Sequence, residues 1–175
     1  RTPLLGRYFQ AMMWLGRTEL MLTAPVTQGA YQPSAADIQR QVIDAALLLE
    51  ALEGSAAGDT LRSMDVLLTS IVGESDNVTT AQLRQVMTSV AAADAASFLD
   101  PARVTQLQAE HTAGSFGVQR INSQILCSDP MNPEQLQPPA AFLLMGQRFV
   151  IDSYVMANVV FDRIMHQGTK VRRMK

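Results

Sequence analysis

The sequence has little cysteine, histidine or charge. Its single cysteine, Cys127, excludes an internal disulfide and any zinc or iron–sulfur site built from several thiolates. The two histidines, His111 and His166, lie far apart, and neither has the carboxylate spacing of a metal site. Charged residues make up 17% of the chain, against a usual ~25%, and the net charge is −2. The one basic cluster is the run Lys170-Val171-Arg172-Arg173-Met174-Lys175. It is too short and too terminal for a nucleic-acid partner, which needs a basic stripe along one face, and it reads as a solvated end. No stretch approaches the ~20 apolar residues that span a bilayer. The best one, Ser153 to Phe161, is held between Asp152 and Asp162. The sequence contains no H-E-x-x-H, no G-x-S-x-G, no phosphate loop and no dinucleotide fingerprint, so it is not expected to be a self-sufficient enzyme. Internal repeats and low-complexity segments are absent too.

What is present is apolar and helix-patterned. With 175 residues, 47% of them hydrophobic, the chain suits a single domain over 1–175 that buries roughly 70% of its unfolded surface. It opens at Arg1 inside an amphipathic pattern and stops at Lys175 after the basic run, which leads us to expect a piece of a longer polypeptide. A first helix is predicted from about Pro3 to about Leu22, burying Leu5, Phe9, Met12, Met13 and Leu20. A second starts at the N-cap Ser34, with Asp37 in its first turn, carries Ile38, Val42, Ala45, Ala46, Leu49 and Leu52 on one face, and closes at Gly54. Gly58-Asp59 opens a third, with Leu61, Met64, Leu67, Leu68 and Ile71 in one stripe, which ends at Gly73. Thr79 caps a fourth that buries Leu83, Val86, Met87 and Val90. Asp100-Pro101 starts a fifth, reaching about Thr112.

After Val118 the period changes. Residues 119–125 and 141–146 are the candidates for one small β-hairpin, and the proline-rich run between them (Pro130, Pro133, Pro138, Pro139) reads as a loop. The last helix, about Arg148 to about His166, is apolar nearly all round, which predicts a central, buried position. The expected fold is mainly α: a helical bundle of about six helices with at most one small β-hairpin.

Three polar groupings carry the candidate chemistry. Arg7 and Arg17, with Glu19, surround Trp14 in an apolar stretch, while Arg148 and Asp152 stand at i, i+4, followed by Asp162-Arg163. Charges among apolar helices must be paired or hydrogen-bonded, so these either form inter-helix ion pairs or grip an anionic ligand in a shared pocket. The turn Val72 to Thr79 is the densest set of oxygen donors: Glu74, Asp76 and Asn77 suit a Ca²⁺, which takes about six to eight oxygens. A helix C-cap followed by a capped helix start accounts for the same residues, and the EF-hand spacing is missing. Asn77-Val78-Thr79 also forms an N-glycosylation sequon. Glu110-His111 lacks a second histidine and reads as a surface His near a helix end. Cys127, beside Ser128-Asp129-Pro130 with no His nearby, reads as a free thiol, since a nucleophilic thiolate needs a group to lower its pKa.

Three segments together carry a resemblance: Arg7-Tyr8-Phe9-Gln10-Ala11-Met12-Met13-Trp14-Leu15-Gly16-Arg17, Val72 to Thr79, and Leu144-Met145-Gly146-Gln147-Arg148-Phe149-Val150-Ile151-Asp152-Ser153-Tyr154. In this order, with helical sequence between, they resemble a family of large, mostly exported bacterial and archaeal proteins of unknown function. The resemblance implies an exported location (periplasmic, cell-surface or extracellular) and a longer parent chain, and it supplies no catalytic residues. If the motifs mark a site, the matching positions are Arg7, Trp14, Arg17, Glu74, Asp76, Arg148 and Asp152. Asn77 stands where a second acidic residue is expected, which counts against a metal.

The functional expectation is therefore a structural and interaction module of a larger assembly, with other segments of the parent protein or partner chains as its partners. The ten methionines agree with adaptable apolar contact surfaces. A ligand-binding domain with an arginine-lined pocket, the non-catalytic part of a processed hydrolase, and a Ca²⁺-stabilised surface domain are the alternatives.

Overall fold

The first five helices each begin where a side chain supplies an acceptor to an otherwise unpaired first turn. In the computed structural model, which describes residues 2–24, 33–114, 116–117, 119–121, 140–160, 165–166 and 169–170, α1 spans Pro3–Leu15 behind the cap Thr2. Helix α2, Ala35–Leu52, opens with the reciprocal Ser34–Asp37 capping box that the sequence predicts. Helix α3, Ala56–Ile71, is capped by Ser55, whose hydroxyl accepts from Gly58 N at 3.0 Å, so it starts ahead of the expected Gly58-Asp59. Thr79 and Gln82 box the start of α4, Thr80–Ser89, and Asp100 caps α5, Pro101–Thr112. A 3₁₀ helix, Ala95–Leu99, joins α4 to α5, and α6 spans Ile151–Val160. The chain is mainly α, as expected.

Two short antiparallel strand pairs complete the described residues. Leu20–Met21 (β1) pairs with Ala141–Phe142 (β2) in the register Leu20 to Phe142 and Met21 to Ala141. Met165–His166 (β3) pairs with Thr169–Lys170 (β4). The strand at 141–142 falls within the expected 141–146 and pairs with β1, while residues 122–125 of the other expected strand lie outside the described residues. The first helix ends at Leu15 instead of running to Leu22, because Gly16 closes it with an N–H to Met12 O at 2.9 Å and Leu20–Met21 turns to the strand.

The core lies between α2, α4, α5, the 3₁₀ helix and the β1–β2 pair. Val42, Ala45, Ala46, Leu83, Met87, Phe98, Leu107 and Phe142 are all at most 1% exposed. The faces predicted for α2 and α4 are the buried ones. Two polar clasps from α2 hold the 3₁₀ helix against it: Gln39 Nε2 donates to Phe98 O at 2.8 Å, and Ala95 N donates to Glu50 Oε1 at 2.6 Å.

Helices α1, α3 and α6 depart from the sequence reading. On α1 no side chain is buried; Leu5 and Phe9 are 56% and 62% exposed. The stripe on α3 is only partly covered: Leu61, Met64 and Leu68 are half-buried, while Leu67 and Ile71 are 58% and 72% exposed. Helix α6, predicted to be central, buries Ala157 alone among its described side chains and exposes Ile151, Val155 and Met156. It also begins later than Arg148, because Phe149 N donates to Glu74 O at 2.7 Å and holds that stretch extended. Amphipathic periodicity states which face can bury, not whether another element arrives to cover it.

Ala91, just past α4, sits in the left-handed region with φ of 53° and is exposed. There an L-residue is strained by about 1 kcal/mol relative to glycine. Ala91→Gly is expected to stabilise the chain by about 0.5–1 kcal/mol in urea unfolding, whereas Ala91→Val lowers stability.

Candidate functional site

The three motif segments meet. The stretch Glu74 to Val78 runs alongside the one from Ala141 to Phe149: Asp76 N donates to Gln147 O at 2.8 Å, and Val78 N to Ala141 O at 2.9 Å. Met145 N donates to Leu15 O at 3.4 Å, bringing in the end of α1. Glycines allow these approaches. A Cβ on Gly16 would lie 2.8 Å from Met145 O, and one on Gly146 would collide with Asn77 Oδ1. Gly73 has φ of 138°, and a Cβ there would strike Phe149 O.

Asp76 lies at the centre, 2% exposed. Its Oδ1 accepts from Arg120 N at 3.0 Å and Arg120 Nε at 3.3 Å, and its Oδ2 accepts from Ile121 N at 2.7 Å. The Arg120 guanidinium stacks 3.7 Å above the centre of the Phe149 ring and comes within 3.7 Å of Glu74, whose side chain is exposed. The motif turn thereby ties residues 119–121 to the stretch before α6. Asn77, 6% exposed, does similar work: Nδ2 donates to Val78 O at 2.9 Å and Leu143 O at 3.0 Å, and Oδ1 accepts from Ser75 Oγ at 3.0 Å. With its amide buried and doubly donating, the sequon at Asn77 offers no room for a glycan in this fold.

The other predicted site residues divide. Arg148 joins the junction: Nη2 lies 2.7 Å from Asp65 Oδ1, and Nη1 donates to Thr69 Oγ1 at 3.2 Å, with only 10% of the side chain exposed. Its partner is therefore on α3, not Asp152, since residue 148 is extended and the i, i+4 geometry never forms. Arg7, Trp14, Arg17 and Asp152 are all exposed. Burial pushes the Glu19 carboxyl above its usual range.

His111 is buried, contrary to the surface reading. Its Nδ1 lies 3.0 Å from Phe116 O, and the ring meets Phe116 edge-on at 5.5 Å. His166 is exposed on β3, and Cys127 lies outside the described residues. Arg120 and Asp65 complete the junction, yet sequence reasoning missed both. Each is an ordinary surface-type residue whose partner is distant in the chain, so no local spacing marks it.

A cleft of about 340 Å³ opens between the end of α2, α3 and the start of α4. Leu52, Leu61 and Leu144 line it together with Arg62, Arg84, Glu53 and Asp65. Its charges are largely spoken for: Arg84 Nε donates to Glu53 Oε1 at 2.8 Å, Arg148 holds Asp65, and Arg62 lies 3.4 Å from Asp59. Among the described residues no group of three or more His, Cys, Asp or Glu side chains could hold a metal ion. Both Asp76 oxygens and Asn77 Oδ1 already accept protein donors. The chemistry this arrangement performs is cross-linking of backbone segments.

Two outcomes follow. Asp76→Ala leaves the buried N–H groups of Arg120 and Ile121 without their acceptor, and a loss of about 3 kcal/mol is expected in chemical denaturation. A raised folded-state pKa means that the folded chain holds the Glu19 proton more tightly than the unfolded one. Stability then falls as pH rises from the ordinary glutamate value through the higher folded one. Glu19→Gln should therefore raise the melting temperature at pH 7 and leave it unchanged near pH 3.

No curated protein and no solved structure matches this chain. The family model described as "Protein of unknown function (DUF3160)" matches residues 1–175. The chain, motif junction included, thus belongs to that family.

Proposed function

We propose that this chain is a structural and interaction module, which docks other protein surfaces through the apolar faces of α1, α3 and α6. One observation carries the reading: three of six helices give the core almost nothing while exposing large apolar side chains, among them Leu4 at 78%, Trp14 at 66%, Ile71 at 72% and Ile151 at 66%. Single exposed apolar residues are common on any protein, but runs of them along whole helix faces mark interaction surfaces. The low charge fraction of 17% favours the same reading, because few charges would have to be stripped of water on docking. The motif junction is the mount: α1 ends at it, α3 ends at Ile71 directly before it, and α6 starts directly beyond it.

The reading is tested by polar replacement on an open face. Leu67→Gln with Ile71→Gln should change folding free energy by less than about 1 kcal/mol, since both positions are exposed. The same pair should reduce binding of an apolar fluorescent dye to the folded chain. A destabilisation above about 2 kcal/mol would mean that these residues are packed inside the isolated chain, and would remove the proposal's support.

A further inference from the structure

We propose that the cleft between the end of α2, α3 and the start of α4 binds a small uncharged molecule with an apolar body and one hydrogen-bonding end. Its chemical class is that of a medium-chain alcohol or amide. The inference goes beyond the docking of open helix faces, since none of the exposed large apolar side chains on α1, α3 or α6 lines the cleft. At about 340 Å³ the cleft lies at the lower end of the ~300–1,000 Å³ usual for ligand sites. Its apolar lining converges from three parts of the chain: Leu52 from α2, Leu61 from α3, and Leu143 and Leu144 from the stretch after β2, all four half-buried. An apolar body seated among them takes all four further out of water.

The charges on the lining select against a charged ligand. Two arginines, Arg62 and Arg84, are balanced by two carboxylates, Glu53 and Asp65, so the lining carries no net charge. Arg84 grips both oxygens of Glu53. Asp65 pairs at 2.7 Å with Arg148, whose side chain is only 10% exposed. A ligand ammonium would have to draw Asp65 away and leave that guanidinium without its partner, and a ligand carboxylate would have to take Arg84 from Glu53. Arg62 offers little in exchange: its side chain is 74% exposed and paired with Asp59, and solvent screening weakens any carboxylate contact there.

Two hydroxyls at the start of α4 meet the polar end instead. Thr79 and Thr80 both line the cleft and are half-buried. The Thr79 oxygen accepts from Gln82 N at 3.3 Å, which leaves its hydrogen to donate, and the Thr80 hydroxyl has no hydrogen bond among the described residues. Together they offer a donor and an acceptor to one neutral polar group, the complement of a hydroxyl or an amide. Each gains a partner when such a group binds, and no ion pair has to open.

The test is a titration of the isotope-labelled chain with octanol, followed by amide NMR shifts, with octanoate and octylammonium as charged counterparts of the same length. Octanol is expected to shift the amides of the cleft residues with one saturable dissociation constant of about 1 mM. The two charged probes should bind at least about tenfold more weakly. Thr80→Val keeps the shape, removes the hydroxyl and should weaken octanol by about three- to tenfold without loss of stability. Ala81→Trp, at an exposed lining position, should fill the cleft and abolish binding with circular dichroism unchanged. Leu67→Gln with Ile71→Gln lies outside the cleft and should leave octanol binding unaltered. The absence of a saturable shift up to the solubility of octanol overturns the proposal. So does a charged probe that binds as tightly as octanol, or undiminished binding by Thr80→Val or by a folded Ala81→Trp chain. If the Leu67 and Ile71 pair abolishes octanol binding, the molecule sits on the open face of α3, and the cleft proposal fails while the docking reading stands.

Discussion

A buried carboxylate gathers this structure. Asp76 is removed from water and is compensated by two backbone N–H groups and a guanidinium from residues 120–121. An ionised group in that position is tolerable only when its oxygens are met by donors, and each donor comes from a segment some 44 or 45 residues away. The turn that holds Asp76 is consequently pinned to a definite place. The backbone ladder to residues 141–149, the Arg120–Phe149 stack and the Asn77 bonds to Val78 and Leu143 are all in register with that place.

The junction divides the chain into parts with different physical roles. On one side, α2, α4, α5, the 3₁₀ helix and the β1–β2 pair enclose a dense apolar core. On the other, α1, α3 and α6 contribute almost no fully buried side chain and leave large apolar residues in water. Exposure of that extent has a free-energy cost of roughly 25 cal/mol per Å², and covering it is the driving force on which the proposed docking relies. Arg148 illustrates how the open helices are held: its ion pair with Asp65 anchors the middle of α3 to the stretch before α6, and little apolar packing is needed.

Membership of a family whose function is unknown leaves the chemistry to be argued from this junction. The motif residues that looked most like a ligand or metal site, Asp76, Asn77 and Arg148, spend their polar atoms on the protein itself. The cleft beside α2, α3 and α4 is lined by side chains whose charges also have partners within the fold. These polar atoms are thus satisfied within the fold. The motif glycines fit the same picture, since Gly73 and Gly146 mark places where two backbone segments come too close for a side chain.

Local physics alone determined the starts of α2, α4 and α5, because a capping side chain and the backbone N–H groups it accepts from lie within the same turn. Ser34, Thr79 and the Asp100-Pro101 pair were legible for that reason, as were the buried faces of α2 and α4. The order of the three motifs could also be read, but not that they touch. Tertiary structure alone decided that α6 begins at Ile151, that β2 pairs with Leu20–Met21, and that Arg148 bonds Asp65. It also decided that Arg120 serves Asp76, that His111 is buried, and that three amphipathic helices stay open. Each of these depends on a partner remote in the chain. Period and spacing report what a segment can present, whereas the arrival of a partner is a property of the whole fold.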